Sequence, residues 1–159
     1  ISDSSVVKCV INMKNEIKSK TRLVAIQLLA QHLINNEDIE VLKDQFDSNY
    51  RNTSLAEGLE KVQYNNNLLS KIIKLYKNMN FETIIFKINN LITFNRNFEK
   101  WDTINKAIIL ISLSEILSSD KKKIKIILND YIEISKSFVT TKETKLINLV
   151  LDKLINEKV

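Results

Sequence analysis

Apolar residues recur along this chain at intervals of three and four positions, the spacing of one face of an α-helix. After Thr21, for example, Leu23, Ile26, Leu29 and Leu33 keep this spacing. The pattern predicts an all-α fold, a compact array of six or seven helices. The predicted helices lie at about 21–35, 38–48, 59–78, 81–94, 102–117, 121–138 and 142–157.

The segment from 101 to 117 is the most apolar of these. Between Ala107 and Leu113 its one polar residue is Ser112. A helix with no polar face must be covered on several sides by other elements. The run is too short to span a membrane, which takes about 20 apolar residues. We therefore expect a central buried helix that begins at Asp102 or Thr103, either of which is a suitable N-cap.

Composition favours one helical domain. The chain has 159 residues, one glycine and no proline, so residues that favour tight turns are scarce. Hydrophobic residues make up 44% of the sequence, enough for a core at this length. There is no internal repeat and no long polar linker. We expect a single domain over residues 19–159, preceded over residues 1–18 by an N-terminal tail or a short helix at about 6–17.

Several function classes are disfavoured. Cys9 and His32 are the chain's single cysteine and single histidine, too few for a disulfide framework or a multi-ligand zinc site. One glycine cannot form a phosphate-cradling loop. No basic segment precedes the first apolar stretch and no cleavage signal follows it, so secretion is not indicated. We expect a cytoplasmic protein that has no enzymatic activity and no cofactor.

The net charge of +5 favours an anionic partner. Only three of the 24 basic residues are arginines, however, and lysine lacks the planar group with which arginine grips a phosphate. One basic cluster precedes the first clear helix and a second begins the helix at about 121. Each is either a solvated helix entry or a set of phosphate contacts. No aromatic residue is interleaved with them, so a base-stacking platform is not indicated. The clusters are Lys14, Lys18, Lys20 and Arg22, and Lys121, Lys122, Lys123 and Lys125.

Three blocks of the sequence resemble the NusB family of transcription antitermination factors. Residues 20–29, KTRLVAIQLL, are similar to the family's basic opening and its R-x-x-A-(V/L)-Q-x-L-Y helix. Residues 105–117, NKAIILISLSEIL, resemble E-K-A-(I/V)-L-R-(I/L)-A-x-Y-E-L. Residues 129–138 and 146–153 resemble I-N-E-A-(I/V)-E-L-A-K-x-F and F-V-N-G-(V/I)-L-D-K. The matching positions include Arg22, Ala25, Gln27, Leu29, Lys106, Ala107 and Glu115.

The resemblance implies two packed helical subdomains and joint binding of boxA RNA with the small-subunit ribosomal protein NusE, within an antitermination complex with RNA polymerase. It implies RNA contacts by Lys18, Lys20, Arg22, Gln27 and Lys145.

Two positions where the family contacts its protein partner depart from the pattern. Ala30 stands in place of an aromatic residue, and Asn105 in place of an acid. These departures, together with the acidic stretch at 37–60, leave a protein-interaction domain that has lost RNA binding as an alternative. A domain preceding a ribosomal RNA methyltransferase is another. Both a monomer and a homodimer are compatible with the resemblance.

Overall fold

The computed structural model describes residues 2–51, 63–91 and 97–157, with side chains described from residue 14 to 49 and over the other two ranges. Within these ranges the fold is all-α, as predicted, and contains no strand. Asp47–Arg51 forms a π-helical turn and Phe98–Lys100 a 3-10 turn. The seven α-helices are α1 Ser2–Asn35, α2 Ile39–Phe46, α3 Asn66–Lys77, α4 Phe81–Leu91, α5 Thr103–Ile116, α6 Lys121–Ser135 and α7 Thr141–Glu157.

Helix α5 occupies the centre, as its apolar sequence predicts. All its residues from 107 to 116 are buried, and it packs against α1, α3, α6 and α7. Its buried serines bond within the helix: the hydroxyl of Ser112 donates to the carbonyl of Ile108, and that of Ser114 to the carbonyl of Leu110. Asp102 is at the N-cap position, but its side chain makes no capping hydrogen bond.

The other helices divide into two groups around α5. Helices α2 and α3 pack on α1, while α4, α6 and α7 are joined through α7, and α1 also packs directly on α6. Because α5 contacts members of both groups, the buried apolar side chains form one continuous cluster. Across the described ranges, no helix is long and apolar enough to cross a membrane.

Helix α1 differs from the expectation. The sequence predicts a tail or short helix at 6–17 and a new helix near Thr21, whereas the structure has one continuous helix of 34 residues. Thr21 does not begin a helix. Its hydroxyl donates to the carbonyl of Ile17 at 2.6 Å and accepts from the backbone N–H of Asn65 at 2.8 Å. A threonine that resembles a cap thus ties α1 to the start of α3.

Other boundaries shift with local hydrogen bonding. Helix α3 begins at Asn66, later than predicted, because Asn65 caps it by accepting from the N–H of Leu68. Helix α6 ends at Ser135, so Phe138 is 40% exposed instead of belonging to the apolar stripe. Asp38 caps α2 and Thr140 precedes α7, as predicted. Most of the predicted loop at 48–58 and the end of the helix at 81–94 lie outside the described residues.

Candidate nucleic-acid interface

Arg22 is held in a buried ion network between α1, α5 and α6. Its Nε donates to Glu115 Oε1 at 2.9 Å and its Nη2 to Glu115 Oε2 at 2.8 Å, so that one carboxylate is gripped at two points. Its Nη1 donates to Asp130 Oδ2 at 2.6 Å. The side chains of Arg22 and Glu115 are 9% and 6% exposed. The planar guanidinium suits this two-point geometry, which a lysine ammonium cannot reproduce.

Two neutral groups complete the network. The hydroxyl of Tyr131 donates to Glu115 Oε1 at 2.7 Å, and the hydroxyl of Ser19 donates to Asp130 Oδ1 at 2.5 Å. The Arg22 guanidinium also lies 5.7 Å from the centre of the Tyr131 ring, close enough for a cation–π contact. Both buried carboxylates thus receive several hydrogen bonds, as charges removed from water require.

The protonation states of Arg22 and Tyr131 are set by their surroundings. Burial alone lowers the pKa of Arg22, but the hydrogen bonds that it donates to Glu115 and the charge of that carboxylate, with help from Asp130, outweigh burial and raise the pKa above its usual value. Burial, and then the negative charge of Glu115, raise the pKa of Tyr131 well above that of a free phenol. Arg22 therefore stays charged and Tyr131 stays neutral.

This geometry engages, inside the fold, the arginine that the sequence suggests as a phosphate contact. Nε, Nη1 and Nη2 all donate to carboxylates inside the protein. A phosphate would have to enter a nearly dry site next to two carboxylates. In the structure Arg22 joins α1 to α5 and α6, and its contact with RNA stays a prediction.

Lys18, Lys20 and Gln27 are exposed on α1, beside the network. Within the described ranges, neither lysine forms an ion pair with a carboxylate. Lys20 and Gln27 are seven residues apart, so they lie on the same face of the helix, about 10.5 Å apart along its axis. Lys18 projects from a different face of the same turn as Lys20.

A shallow depression of about 460 Å³ adjoins this surface, lined by Asn15, Glu16, Ser19 and Lys20. The Ser19 hydroxyl on its wall is already bonded to Asp130. Glu16 is a negative charge at the same place, and it weakens the attraction for an anion. The basic surface is therefore small and depends on a few lysines.

Lys145 is exposed on α7, separate in the fold from the α1 lysines. It comes four residues after Thr141, in the first turns of that helix. Among the described contacts between helices, none of the stronger ones joins α7 to α1. The structure therefore groups Lys18, Lys20 and Gln27 on one helix and places Lys145 on another.

The two predicted partner-contact positions have different environments. Ala30, on α1, is partly buried and packs at the edge of the core. Asn105, on α5, is 9% exposed, and its side-chain N–H donates to Glu143 Oε2 at 2.8 Å. Thr140 also bonds to Glu143, through the other carboxylate oxygen. The absence of an acid at position 105 is thus offset by Glu143 on α7, which brings a carboxylate to the same place.

The hydrogen bonds from Asn105 and then from Thr140 lower the pKa of Glu143 below 4.5. We expect Asn105→Ala to raise this pKa toward 4.5, because the change removes the hydrogen bond that lowers the pKa of Glu143 most. Because the pKa of Glu143 is lower in the folded than in the unfolded protein, its ionised carboxylate stabilises the fold above about pH 4.5. This stabilisation is lost as the pH falls through the pKa of the folded state. An NMR titration of the Glu143 side chain measures the shift. An unchanged value would show that the Asn105 bond is absent in solution.

Sequence reasoning missed the partners of Arg22. Asp130 and Tyr131 are adjacent on α6, so their side chains leave the helix about 100° apart and meet Arg22 from two sides. The sequence signal that could have indicated these partners is the placement of acids at 115 and 130 next to apolar residues of predicted helices. In the described part of the chain, no group of three His, Cys, Asp or Glu side chains is arranged to hold a metal ion.

The described part of the chain is an all-α protein with exposed lysines on α1, and comparison with known proteins identifies its family. The sequence matches the NusB family over residues 19–156, most of its length, and the chain belongs to that family. It is 28% identical over 142 residues to "Transcription antitermination protein NusB" of Rickettsia bellii, covering 88% of this chain and 90% of the relative. The protein of the same name from Rickettsia massiliae is 27% identical over 146 residues, covering 88% of this chain and 92% of the relative.

Proposed function

We propose that this protein is an RNA-binding transcription antitermination factor of the NusB type, which binds a boxA-like ribosomal RNA leader together with the ribosomal protein NusE. The proposal is supported most directly by Lys18 and Lys20, which are exposed on α1 next to the Arg22 network. The chain that carries them is a member of the NusB family. The relatives' name supports the antitermination role. We propose that the protein acts in the cytoplasm, in a complex with RNA polymerase, and without enzymatic activity or a cofactor.

The surface supports a mechanism based on phosphate contacts. Two lysines without internal carboxylate partners are available for backbone phosphates, and Gln27 offers an amide to a base edge or a sugar. Lys145 would contact RNA that extends across to α7. Because lysines supply point charges and the patch contains Glu16, this protein alone should bind weakly, and joint binding with NusE should supply the remaining affinity.

The interface with NusE is proposed at Ala30 and at the Asn105–Glu143 pair. Ala30 offers less contact area than an aromatic side chain, which lowers the affinity of that contact. Glu143 offers a carboxylate held by two neighbouring donors. The carboxylate is thus oriented before a partner binds, which limits the entropy lost on binding. The proposal applies to a monomer or a homodimer.

One observation favours a second candidate, a protein-interaction domain without RNA binding. Arg22, the most basic side chain of the family-like opening, forms ion pairs with Glu115 and Asp130 inside the fold. In this case NusE, or another protein, would bind without RNA.

The two candidates are separated by titrating labelled boxA-like RNA with the protein alone, with NusE alone and with both together at low salt. The proposed function predicts binding that is tightest with both proteins and stronger for boxA-like RNA than for a scrambled sequence. Absence of binding in every mixture would reject it. A NusE complex that forms equally well without RNA and does not retain RNA would support the second candidate.

A further inference from the structure

A groove separate from the α1 lysines runs between α6 and α7. Its volume is about 630 Å³, within the range of about 300–1,000 Å³ typical of ligand sites. Its apolar lining is aliphatic, formed by Ile124 and Leu128 from α6 and by Ile155 from α7. The helices run antiparallel, because a short connection joins the end of α6 to the start of α7. The groove therefore extends along both helices.

The rim of the groove on α6 is positively charged. Lys121 and Lys125 line it and are exposed. They are four residues apart, so they lie one above the other on the same face of α6. Among the described residues, neither forms an ion pair. The rim thus presents two charges without internal counterions, beside an aliphatic floor.

Apolar surface continues beyond the groove. Ile126 on α6 is 68% exposed and Leu149 on α7 is 45% exposed. Ile126 is three residues from Asn129 and Leu149 is three residues from Asp152, both of which line the groove. Residues at this spacing are neighbours on a helix surface. Two more apolar side chains are thus exposed beside the groove.

We propose that the α6–α7 groove binds an acidic, amphipathic helical segment of a protein partner. Apolar side chains of that segment would fill the space over Ile124 and Leu128, and its carboxylates would pair with Lys121 and Lys125. The groove-lining residues of α6 extend from position 121 to 129, about 12 Å along the helix, which is long enough for two apolar side chains spaced i, i+4 on a partner helix, about 6 Å apart.

Two features favour a peptide over RNA at this place. No aromatic ring is among the described residues that line the groove, so bases have no surface to stack on. Asp152 on the α7 side repels a phosphate backbone, whereas a peptide places its carboxylates only toward the lysines. The amides of Asn129 and Asn148, also in the lining, offer hydrogen bonds to polar groups of the bound segment.

The test uses a fluorescein-labelled peptide of about 14 residues, with leucines at i, i+4 spacing and glutamates on the flanking faces. Three probes accompany it: the same peptide with glutamine for glutamate, the same peptide with serine for leucine, and a single-stranded oligouridine. Anisotropy titrations compare the wild-type protein with two double variants, Lys121→Gln/Lys125→Gln and Lys122→Gln/Lys123→Gln. Both variants remove two positive charges from the same turns of α6, but Lys122 and Lys123 do not line the groove.

We expect the leucine–glutamate peptide to bind the wild type, and both altered peptides to bind less tightly. The groove variant should weaken binding roughly fivefold to tenfold, as two partly exposed ion pairs would, while the matched control should change it less than about twofold. A further variant, Asn148→Trp, should abolish binding by filling the groove while leaving the circular dichroism spectrum unchanged.

Three results would overturn the proposal. The first is no binding of the leucine–glutamate peptide, or equal binding of the serine peptide. The second is an equal loss in both double variants, which indicates a diffuse charge effect. The third is tighter binding of oligouridine that the groove variant removes, which would assign the site to nucleic acid. None of these results depends on boxA binding, so the proposal fails or stands separately from the proposed function.

Discussion

Replacing Arg22 with methionine should lower the free energy of unfolding by about 3–5 kcal/mol, because the change leaves Glu115 buried without its ion-pair partner. Methionine has a similar length and is apolar, so the change tests the charge more than the volume. Asp130 also loses its guanidinium but keeps the Ser19 hydroxyl, and it is more exposed than Glu115. Urea unfolding followed by circular dichroism measures the change.

Two comparisons make the Arg22→Met result specific. Lys20→Met removes a positive charge two residues away at an exposed position, and should change stability by less than about 0.5 kcal/mol. Arg22→Met/Glu115→Leu removes both buried charges, and should be more stable than Arg22→Met alone. Equal losses for Arg22→Met and Lys20→Met would show that the network does not hold α1 to α5 and α6.

Charge reversal of the α1 lysines should have the largest effect on RNA binding. We expect Lys18→Glu/Lys20→Glu to weaken binding of boxA-like RNA about 100-fold at low salt. A hydrogen bond to a charged group contributes about 1.5–3 kcal/mol, so the loss of two accounts for at least this change. Neutralising the pair with glutamine should reduce the slope of log affinity against log salt by about 1.4, because each contact to single-stranded RNA contributes about 0.7.

The matched control for this charge change is Lys87→Glu/Lys153→Glu. It makes the same change in net charge at two exposed lysines on α4 and α7, in the other helix group. It should lower the RNA affinity by less than about threefold, through long-range charge alone. A similar loss in both variants would mean that net charge, and not the α1 surface, determines the affinity.

The fold could be predicted from the sequence because the apolar pattern is strong where packing is tight. Helix α5 is the clearest case: its sequence has no polar face, and the structure buries it among four helices. Helix ends were less predictable, because they depend on individual hydrogen bonds. Thr21 has the chemistry of a cap, yet its hydroxyl serves as a bridge between α1 and the start of α3.

The site was only partly predictable. The exposure of Lys18, Lys20 and Gln27 agrees with their spacing on a helix, but the interior position of Arg22 could not be read from a basic cluster. Whether a cation faces water depends on which acids other helices bring to it. Here those acids are 93 and 108 residues away in the sequence. The three family-like blocks meet at this arginine, so part of the family's sequence pattern marks the packing of α1 against α5 and α6.

We propose above that RNA binds at the exposed surface of α1. An NMR titration of the isotope-labelled protein with boxA-like RNA tests it most directly, because every backbone amide reports at once. We expect the largest shift changes at residues 14–20 and around Gln27, with smaller ones near Lys145 and none in the α6–α7 groove. Changes centred on Lys121–Lys125, or no changes with RNA in excess in the presence of NusE, would contradict the claim.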